Sequence, residues 1–344
     1  MEKKKAHGIG LLSGGLDSAL AAKVVQAAGA EVTCLHFFTG FCVTGHNSRI
    51  GRKDRPIANH ALNVAADAGI PVELVDISEE YLPMVMKPAH GYGANMNPCI
   101  DCRVFMINRA KKYMEEVGAD FVFTGEVIGQ RPMSQRRPVI DMVEKETGLV
   151  GRLLRPLSAK LLEPTLVEQQ GLVDREKLFD FAGRSRRPQI ALADDLGINE
   201  FMQPAGGCCF LTDESYSRKL RDLMSHMSEG SQLDMDAVYT LGVGRHFRLS
   251  PDIKVIVGRD ETENNFLDYY RKTHWVAEAV DFKGPTVVVM GEPGTHLETV
   301  AAMAARYCKG RDEHTVKVAI THNGDSQVFE AAPASDEQLE TYRI

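Results

Sequence analysis

The stretch Leu11-Leu12-Ser13-Gly14-Gly15-Leu16-Asp17-Ser18 decides the fold of this chain. An apolar run, residues 7–12, stops at Ser13, and an alanine-rich stretch follows the two glycines. This pattern predicts a buried strand, a tight turn and the start of a helix. The first N–H groups of a helix lack internal partners and carry partial positive charge, so the turn is suited to bind an anion.

Each polar or glycine position of this turn has a role in such binding. Gly14 and Gly15 let the backbone approach a phosphate closely. The hydroxyls of Ser13 and Ser18 can donate hydrogen bonds, and Asp17 can hold Mg²⁺. Because no Gly-Lys-Ser/Thr follows, the turn is not a Walker A loop. The alternative is an ordinary strand–helix turn capped by a serine.

The segment Ser13-Gly14-Gly15-Leu16-Asp17-Ser18 resembles the signature of the PP-loop ATP pyrophosphatases. The resemblance implies that ATP is cleaved between its α and β phosphates and that a carbonyl oxygen of the substrate is adenylated. It implies ATP and Mg²⁺ as ligands, with Asp17 in the catalytic group. By the usual geometry at the edge of such a sheet, His36, Phe37 and Gly125 are expected to border the adenosine.

Strand and helix patterns alternate along the first half of the chain, which predicts an α/β fold: a Rossmann-like parallel sheet with helices on both faces. Strands are predicted at 7–12, 31–38, 71–77 and 120–124, and helices at 19–28, 56–68 and 102–117. Residues 82–98 and 130–148 are predicted to be loops. Helices are predicted at 174–184, 188–197 and 217–227.

The composition shifts after these helices, and the remaining segments predict a smaller α+β domain. Its strands are predicted at 245–249, 254–257, 286–290 and 316–321, and its helices at 262–271 and 296–308. We therefore expect a first domain over 1–230, with a core at 6–150 and a helical extension at 151–230. The second domain is expected over 236–344.

Composition limits the classes of protein that need be considered. The 344 residues carry a formal net charge of −7, which argues against a wholly basic nucleic-acid binder. The sequence has no apolar run of membrane-spanning length and no signal-peptide pattern at its start, so cytoplasmic localisation without a membrane partner is expected. Seven cysteines, an odd number, favour metal-binding or catalytic roles over a disulfide framework.

Four of the cysteines form two notable groups. Cys99 and Cys102 make a C-x-x-C just before a predicted helix, where thiolates become good ligands or nucleophiles. Cys208 and Cys209 follow two glycines. Taken alone, the C-x-x-C is compatible with half of a zinc site, a redox pair or chance. The other cysteines, Cys34, Cys42 and Cys308, are expected to be small buried hydrophobic residues.

A C-x-x-C and a distant cysteine after a PP-loop resemble the tRNA 2-thiouridine and 4-thiouridine synthetases, over roughly residues 6–225. The resemblance implies catalytic roles for Cys99, Cys102, Cys208 and Cys209. It implies a [4Fe–4S] cluster on Cys99, Cys102 and Cys208 or Cys209, with Cys208 slightly preferred and one iron open to hydrosulfide. The alternative is a persulfide on Cys209 or Cys208 that Cys99 or Cys102 resolves.

The segment from His246 to Asp252, followed by Lys254–Asp260, resembles the NFACT-R RNA-binding domain. Arg245, His246, Arg248, Lys254 and Arg259 could then face phosphates, and Phe247 could stack on a base. The alternative is an ordinary solvated sheet face. A basic cluster at Arg184, Arg186 and Arg187 is equally compatible with RNA contact and with a solubilising surface.

These expectations combine into one function: ATP-dependent thiolation of a uridine in tRNA. The expected partners are tRNA, sulfide or a sulfur-donor protein, and a second copy of the chain in a homodimer. No N-terminal RNA-binding extension or appended sulfurtransferase domain is expected. Two alternatives are a PP-loop ligase that acts on a small molecule, and a non-catalytic RNA-binding protein regulated by ATP.

Overall fold

The computed structural model of the protein describes residues 5–42, 60–198, 209–227 and 233–344. Contacts divide the chain into two units, of which the first ends at Thr212 and the second begins at Asp213. The predicted border at 230–236 lies partly outside the described residues and stays a prediction. Each unit is described by itself below.

The first unit is built on a five-stranded parallel sheet with the strand order β3-β2-β1-β4-β5. Because the order reverses at β1, right-handed crossovers place the connecting helices on both faces. The predicted Rossmann-like architecture is confirmed. The strands are β1 (His7–Leu11), β2 (Glu31–Phe38), β3 (Val72–Asp76), β4 (Phe121–Phe123) and β5 (Leu153–Leu154).

The helices of the first unit lie between and after these strands. Alanine and leucine on the buried side of the first helix pack against Phe121 and Phe123 of β4 in one hydrophobic core. The described helices are α1 (Leu16–Ala27), α2 (His60–Asp67), α3 (Ser78–Met86), α4 (Cys99–Val117), α5 (Arg137–Glu146), α6 (Leu166–Gln169) and α7 (Arg187–Asp195).

Three predicted segments of the first unit were wrong. Helix α3 occupies part of the predicted loop at 82–98, where the internal Pro83 had argued against a helix. Helix α5 occupies part of the predicted loop at 130–148, because Ile140 and Val143 are buried at helical spacing in a charged segment. The predicted helix at 174–184 is only a 3₁₀ turn at Arg175–Lys177, and its later residues hydrogen-bond to the 156–157 backbone in extended form.

The second unit contains a six-stranded antiparallel sheet with the order β11-β10-β8-β9-β7-β6. Two of its strands, β8 and β11, were not predicted from the sequence. Its strands are β6 (Arg245–Ser250), β7 (Ile253–Val257), β8 (Trp275–Ala279), β9 (Val287–Met290), β10 (Val316–His322) and β11 (Asp325–Ala331).

One long helix covers a face of this sheet and forms the hydrophobic core with it. The predicted α+β architecture of this region is confirmed. The described helices are α8 (Glu214–Ser225), α9 (Met235–Thr240), α10 (Glu261–Leu267), α11 (Leu297–Tyr307) and α12 (Asp336–Tyr342). In the described part of the chain, none of the helices has the length and apolar character needed to cross a membrane.

Candidate functional site

The predicted phosphate loop lies at the carboxyl edge of the parallel sheet, between β1 and the first turn of α1. Gly14 adopts a φ of 78°, and a Cβ there would lie 3.0 Å from the backbone nitrogen of Ala61 in α2. The Ser18 hydroxyl donates to the Gly15 carbonyl at 2.8 Å and lies 3.3 Å from the Ser13 hydroxyl. The loop is therefore held by hydrogen bonds of its own serines.

Asp17 is the centre of a polar network that the sequence did not reveal. The Gln130 amide nitrogen donates to Asp17 Oδ2 at 2.7 Å, and Gln189 donates to the Gln130 amide oxygen at 3.0 Å. The Arg186 guanidinium lies 3.7 Å from Asp17 Oδ1. In the described structure, Asp17 Oδ1 and Arg186 Nε are buried without a hydrogen-bond partner. Such orphaned atoms fit a bound cation and a bound phosphate respectively.

Gly125, which follows β4, packs directly against the phosphate loop. A Cβ at this position would lie 2.6 Å from the carbonyl carbon and oxygen of Asp17 and from the nitrogen of Ser18. The glycine therefore lets the turn after β4 meet the first turn of α1. This contact places the β4 turn at the point between β1 and β4 where the strand order reverses, the usual ligand crevice of such sheets.

His36 and Phe37 lie near the end of β2, next to the strand that leads into the loop. The Leu12 carbonyl lies 2.8 Å from His36 Nδ1, and burial lowers the pKa of His36 despite this contact, which raises it. Phe37 is buried. Their predicted contact with adenosine stays a prediction.

The C-x-x-C forms the first turn of α4 rather than preceding the helix. Cys102 N–H donates to the Pro98 carbonyl at 2.8 Å. Asp101 is buried, and its carboxylate accepts hydrogen bonds from the backbone N–H groups of Ala89 and His90. The residue between the cysteines therefore ties the preceding loop to the helix start.

Backbone hydrogen bonds connect the segment that begins with Cys209 to the chain after β2 and to the loop before α4. Phe210 N–H donates to the Phe41 carbonyl at 3.0 Å, and Met96 N–H donates to the Leu211 carbonyl at 3.1 Å. Cys42 and Cys209 form an isolated antiparallel bridge. The chain after β2, the loop before α4 and the Cys209 segment thus converge.

The buried Tyr81 of α3 lies close enough to three thiols for each of them to affect its hydroxyl. Burial raises the pKa of its hydroxyl, and the charge of Cys102 and a hydrogen bond with Cys102 raise it further, followed by the charges of Cys209 and Cys42. We call Cys42, Cys102 and Cys209 the thiol group. Its members come from three separate segments of the chain.

Cys42 corrects one expectation from the sequence. Cys34 and Cys308 are buried in hydrophobic cores as predicted, and burial raises the pKa of Cys34 to about 12. Cys42 is instead half-buried and lies against the Tyr81 hydroxyl region, with its Sγ 3.3 Å from Thr39 Oγ1. The surroundings of Cys42 are set by its place in the chain after β2 and not by the hydrophobic character of cysteine.

The donor chemistry of this region fits an iron–sulfur cluster in part. Cys99 and Cys102 are soft thiolate donors in the first turn of α4. Cys208, the preferred third ligand, lies outside the described residues. Within the described ranges, no three His, Cys, Asp or Glu side chains are grouped so as to hold a metal ion.

A buried ion-pair network connects the thiol helix with the phosphate loop. Glu126 accepts from Arg155 Nε at 3.1 Å and from Thr124 Oγ1 at 3.0 Å, and Arg103 Nε lies 3.1 Å from its other oxygen. Burial by itself would raise the pKa of Glu126. The positive charges of Arg103 and Arg155 outweigh burial and hold this pKa below its usual value. Arg103 follows Cys102 and Glu126 follows Gly125, so the network fixes α4 to the turn that touches Asp17.

The predicted RNA contacts of His246, Phe247 and Lys254 in the second unit were wrong, whereas those of the arginines stay predictions. Phe247 is fully buried against Tyr307 and cannot stack on a base, and His246 and Lys254 are buried as well. Arg248 pairs with Asp222, and Arg259 pairs with Glu263. His246 and Phe247 of β6 and Lys254 of β7 are buried, which the sequence alone did not show.

The sequence did not identify Tyr81, Gln130 or Gln189, and it left Arg186 equally compatible with RNA contact and with a solubilising surface. None of these residues belongs to a recognisable motif. A buried tyrosine in a charged segment and two glutamines that flank a basic cluster carry no local signal. Only the folded chain brings them to the thiol group and to Asp17.

Two family models match separate parts of the chain. Residues 7–144 match the tRNA methyl transferase HUP domain, and residues 244–343 match the NFACT protein RNA binding domain. Among solved structures, a 4-thiouridine synthetase in complex with RNA and bound ATP is similar at 20% identity and a TM-score of 0.33. That alignment covers 56% of this chain and 52% of the other.

Curated relatives match parts of the chain. The tRNA-specific 2-thiouridylase MnmA of Syntrophotalea carbinolica is 34% identical over 137 residues, which is 36% of each chain. The same enzyme of a Roseiflexus species is 25% identical over 251 residues, or 68% of this chain and 65% of the relative. A probable tRNA sulfurtransferase of Thermococcus kodakarensis is 27% identical over 122 residues, or 36% of this chain and 30% of the relative.

The chain thus spans less than two thirds of the length of each of these relatives, and about a third of some. The matches nevertheless follow the two units, because one family model falls within the parallel sheet region and the other within the antiparallel one. Residues 7–144 are therefore similar to the tRNA methyl transferase HUP domain, and residues 244–343 are similar to the NFACT protein RNA binding domain.

Proposed function

We propose that this protein thiolates a uridine of tRNA at the expense of ATP. The observation that carries the proposal is the convergence of Cys102 and Cys209 on Tyr81, with α4 tied through Arg103 and Glu126 to the turn against Asp17. A sulfur-bearing group and a phosphate-binding loop on one sheet edge suit a reaction that activates an oxygen and then replaces it with sulfur. Curated relatives named as tRNA thiouridylases support the same chemistry.

In the proposed activation step, residues 13–15 and Ser18 hold the pyrophosphate part of ATP. Asp17 offers Mg²⁺ a carboxylate oxygen that has no hydrogen bond, and Arg186 offers a phosphate an Nε–H that has no hydrogen bond. His36, Phe37 and Gly125 border the adenosine. The uridine oxygen attacks the α phosphate, pyrophosphate leaves, and the base oxygen becomes part of a good leaving group, AMP.

Two routes for the sulfur follow from the cysteines. In one, Cys99, Cys102 and Cys208 hold a [4Fe–4S] cluster, which would supply a binding place for hydrosulfide. In the other, Cys209 or Cys208 carries a persulfide and a second cysteine resolves it. The grouping of Cys42, Cys102 and Cys209 around Tyr81 favours the second route among the described residues.

The test is a thiolation assay with anaerobically purified protein, unmodified tRNA, ATP and Mg²⁺, with sulfide supplied for the cluster route and a sulfane-sulfur donor such as polysulfide for the persulfide route. The nucleosides are identified by mass spectrometry. We expect thiouridine together with AMP and pyrophosphate. Bound iron and sulfide in the active protein support the cluster route, whereas iron-free protein that thiolates tRNA rejects it. We expect Cys99→Ser and Cys102→Ser to abolish thiolation, and only one of Cys208→Ser and Cys209→Ser to do so.

Cys308→Ala, in the core of the second unit, is the matched control and should remain active. Turnover of a small metabolite without tRNA thiolation would identify a ligase instead. Binding of ATP and RNA without release of AMP or pyrophosphate would identify an ATP-regulated RNA-binding protein. The same preparations, run on a sizing column, test the expected homodimer.

A further inference from the structure

Cys42 and Cys209 face each other across a short antiparallel pairing. The hydrogen bond from Phe210 N–H to the Phe41 carbonyl flanks the cysteine pair rather than joining its two residues. This pattern defines a non-hydrogen-bonded pair, in which Cα atoms lie about 4.5 Å apart and the side chains lie on the same face. A disulfide requires Cα atoms roughly 4.4–6.8 Å apart, so the backbone is already placed for one.

The surroundings of this pair are polar and contain a third thiol. Thr39 Oγ1 lies 3.3 Å from Cys42 Sγ, and the Tyr81 hydroxyl is close enough to feel the charges of Cys42, Cys102 and Cys209. Cys42 and Cys209 are half-buried, whereas Cys34 and Cys308 are buried among apolar side chains. Partial exposure distinguishes reactive thiols from inert buried ones.

We propose that Cys42 is the resolving thiol of Cys209, a role that the sequence had given to Cys99 or Cys102. This inference rests on the proposed function and on its persulfide route. The terminal sulfur of a Cys209 persulfide displaces AMP from the activated base and leaves a Cys209–S–S–uridine linkage. The Cys42 thiolate then attacks Cys209 Sγ, the linkage breaks, and the thiouridine leaves with both electrons of the broken bond.

The balance of this step needs no outside oxidant. The sulfane sulfur is reduced to the level of sulfide, and the two cysteines are oxidised to a Cys42–Cys209 disulfide. A small dithiol or a protein dithiol reductant then returns the pair to thiols. Cys102 remains beside Tyr81 and is not consumed in the exchange.

The first arm of the test maps disulfides and does not depend on activity. The reduced full-length protein is oxidised with stoichiometric diamide, digested with chymotrypsin to separate Cys42 from Cys34, and examined by mass spectrometry in a Cys208→Ser background. We expect a Cys42–Cys209 link that Cys42→Ser removes and Cys308→Ala retains. A link from Cys209 to Cys99 or Cys102 instead would overturn the proposal.

The second arm is a single turnover with persulfide-loaded protein, tRNA and ATP but no added reductant. We expect the unsubstituted chain to yield one Cys42–Cys209 disulfide per thiouridine. Cys42→Ser should still release AMP but should free thiouridine at least tenfold more slowly, with tRNA trapped on Cys209 until dithiothreitol is added. Release of thiouridine by Cys42→Ser at the normal rate would contradict the inference. If the unsubstituted chain thiolates no tRNA, the proposed function is wrong, and the disulfide map alone then tests whether Cys42 and Cys209 pair.

Discussion

Asp17 shows how a single side chain can be recognised in the sequence while its environment is not. The motif identified it as a candidate Mg²⁺ ligand, but Gln130 and Arg186 come from segments more than one hundred residues away. The glutamine amide orients one carboxylate oxygen and leaves the other buried without a hydrogen bond. The Asp17 carboxylate can therefore bind the Gln130 amide through one oxygen and a cation through the other.

Asp17→Asn tests this role at the residue scale. The substitution keeps an oxygen for the Gln130 amide but removes the negative charge, so we expect Mg²⁺-dependent release of pyrophosphate to fall by about 10–100-fold. The fold should persist, as judged by circular dichroism. Unchanged activity over a titration of Mg²⁺ would rule out Asp17 as a ligand.

At the scale of elements, the turn after β4 joins the two halves of the candidate site. Gly125 contacts the backbone of the phosphate loop, and the adjacent Glu126 pairs with Arg103 of α4 and with the buried Arg155. Removing one partner from such a buried pair costs about 3–5 kcal/mol, because an uncompensated charge remains. The network therefore keeps the thiol helix and the loop in one arrangement.

Gly125→Ala should disturb the loop directly. A methyl group 2.6 Å from the Asp17 and Ser18 backbone forces a shift, with a loss of about 1–3 kcal/mol in unfolding free energy and weaker ATP binding. Gly118→Ala is the control, because its φ of 68° makes alanine strained while no atom lies near the added Cβ. We expect both variants to unfold more easily in urea but only Gly125→Ala to lose ATP affinity in calorimetry.

Lys254 of β7 gives a test based on pH. Burial lowers its pKa from 10.5 to about 7, so between these values the unfolded chain holds a proton that the folded chain lacks. Stability therefore rises with pH across this window. Lys254→Met should increase the unfolding free energy at pH 7.5, on the order of 1–4 kcal/mol, because it removes the need to bury an amine.

The gain from Lys254→Met should shrink as pH approaches 10.5. Urea unfolding at several pH values measures it. Burial also lowers the pKa of Lys219, to about 8. The unfolding free energy of both proteins therefore keeps a smaller dependence on pH. A gain that stays constant with pH would show that Lys254 does not titrate as described.

At the scale of the whole molecule, the chain combines a region similar to the HUP domain with a region similar to the NFACT RNA binding domain and carries a net charge of −7. The proposed RNA binding then depends on where cations are exposed rather than on their number. The cations predicted on β6 and β7 are buried or paired, but Lys283, Lys309, Arg311 and Lys317 are exposed in the second unit. Lys309 N–H donates to the Lys283 carbonyl at 2.8 Å, which brings these two lysines together.

The double variant Lys283→Glu with Lys309→Glu should weaken tRNA binding. Phosphate contacts act mainly through counterion release, so the slope of log affinity against log salt should fall by about 2. Filter binding at several salt concentrations measures both quantities. Lys272→Glu, an exposed reversal in the same unit, is the matched control. Equal affinities for all three proteins would place the RNA on another surface.

The sequence by itself determined the elements whose signals are local. The glycine-rich turn, the apolar runs of β1 and β2 and the C-x-x-C predicted the parallel sheet, the phosphate loop and the start of α4, because helix caps and hydrophobic periods depend on neighbouring residues. Only the tertiary structure decided that Tyr81, Cys42 and Cys209 meet, that Arg186 reaches Asp17, and that Phe247 faces the core. These contacts join residues far apart in the chain, and their partners are set by how strands and helices pack, which no local pattern encodes.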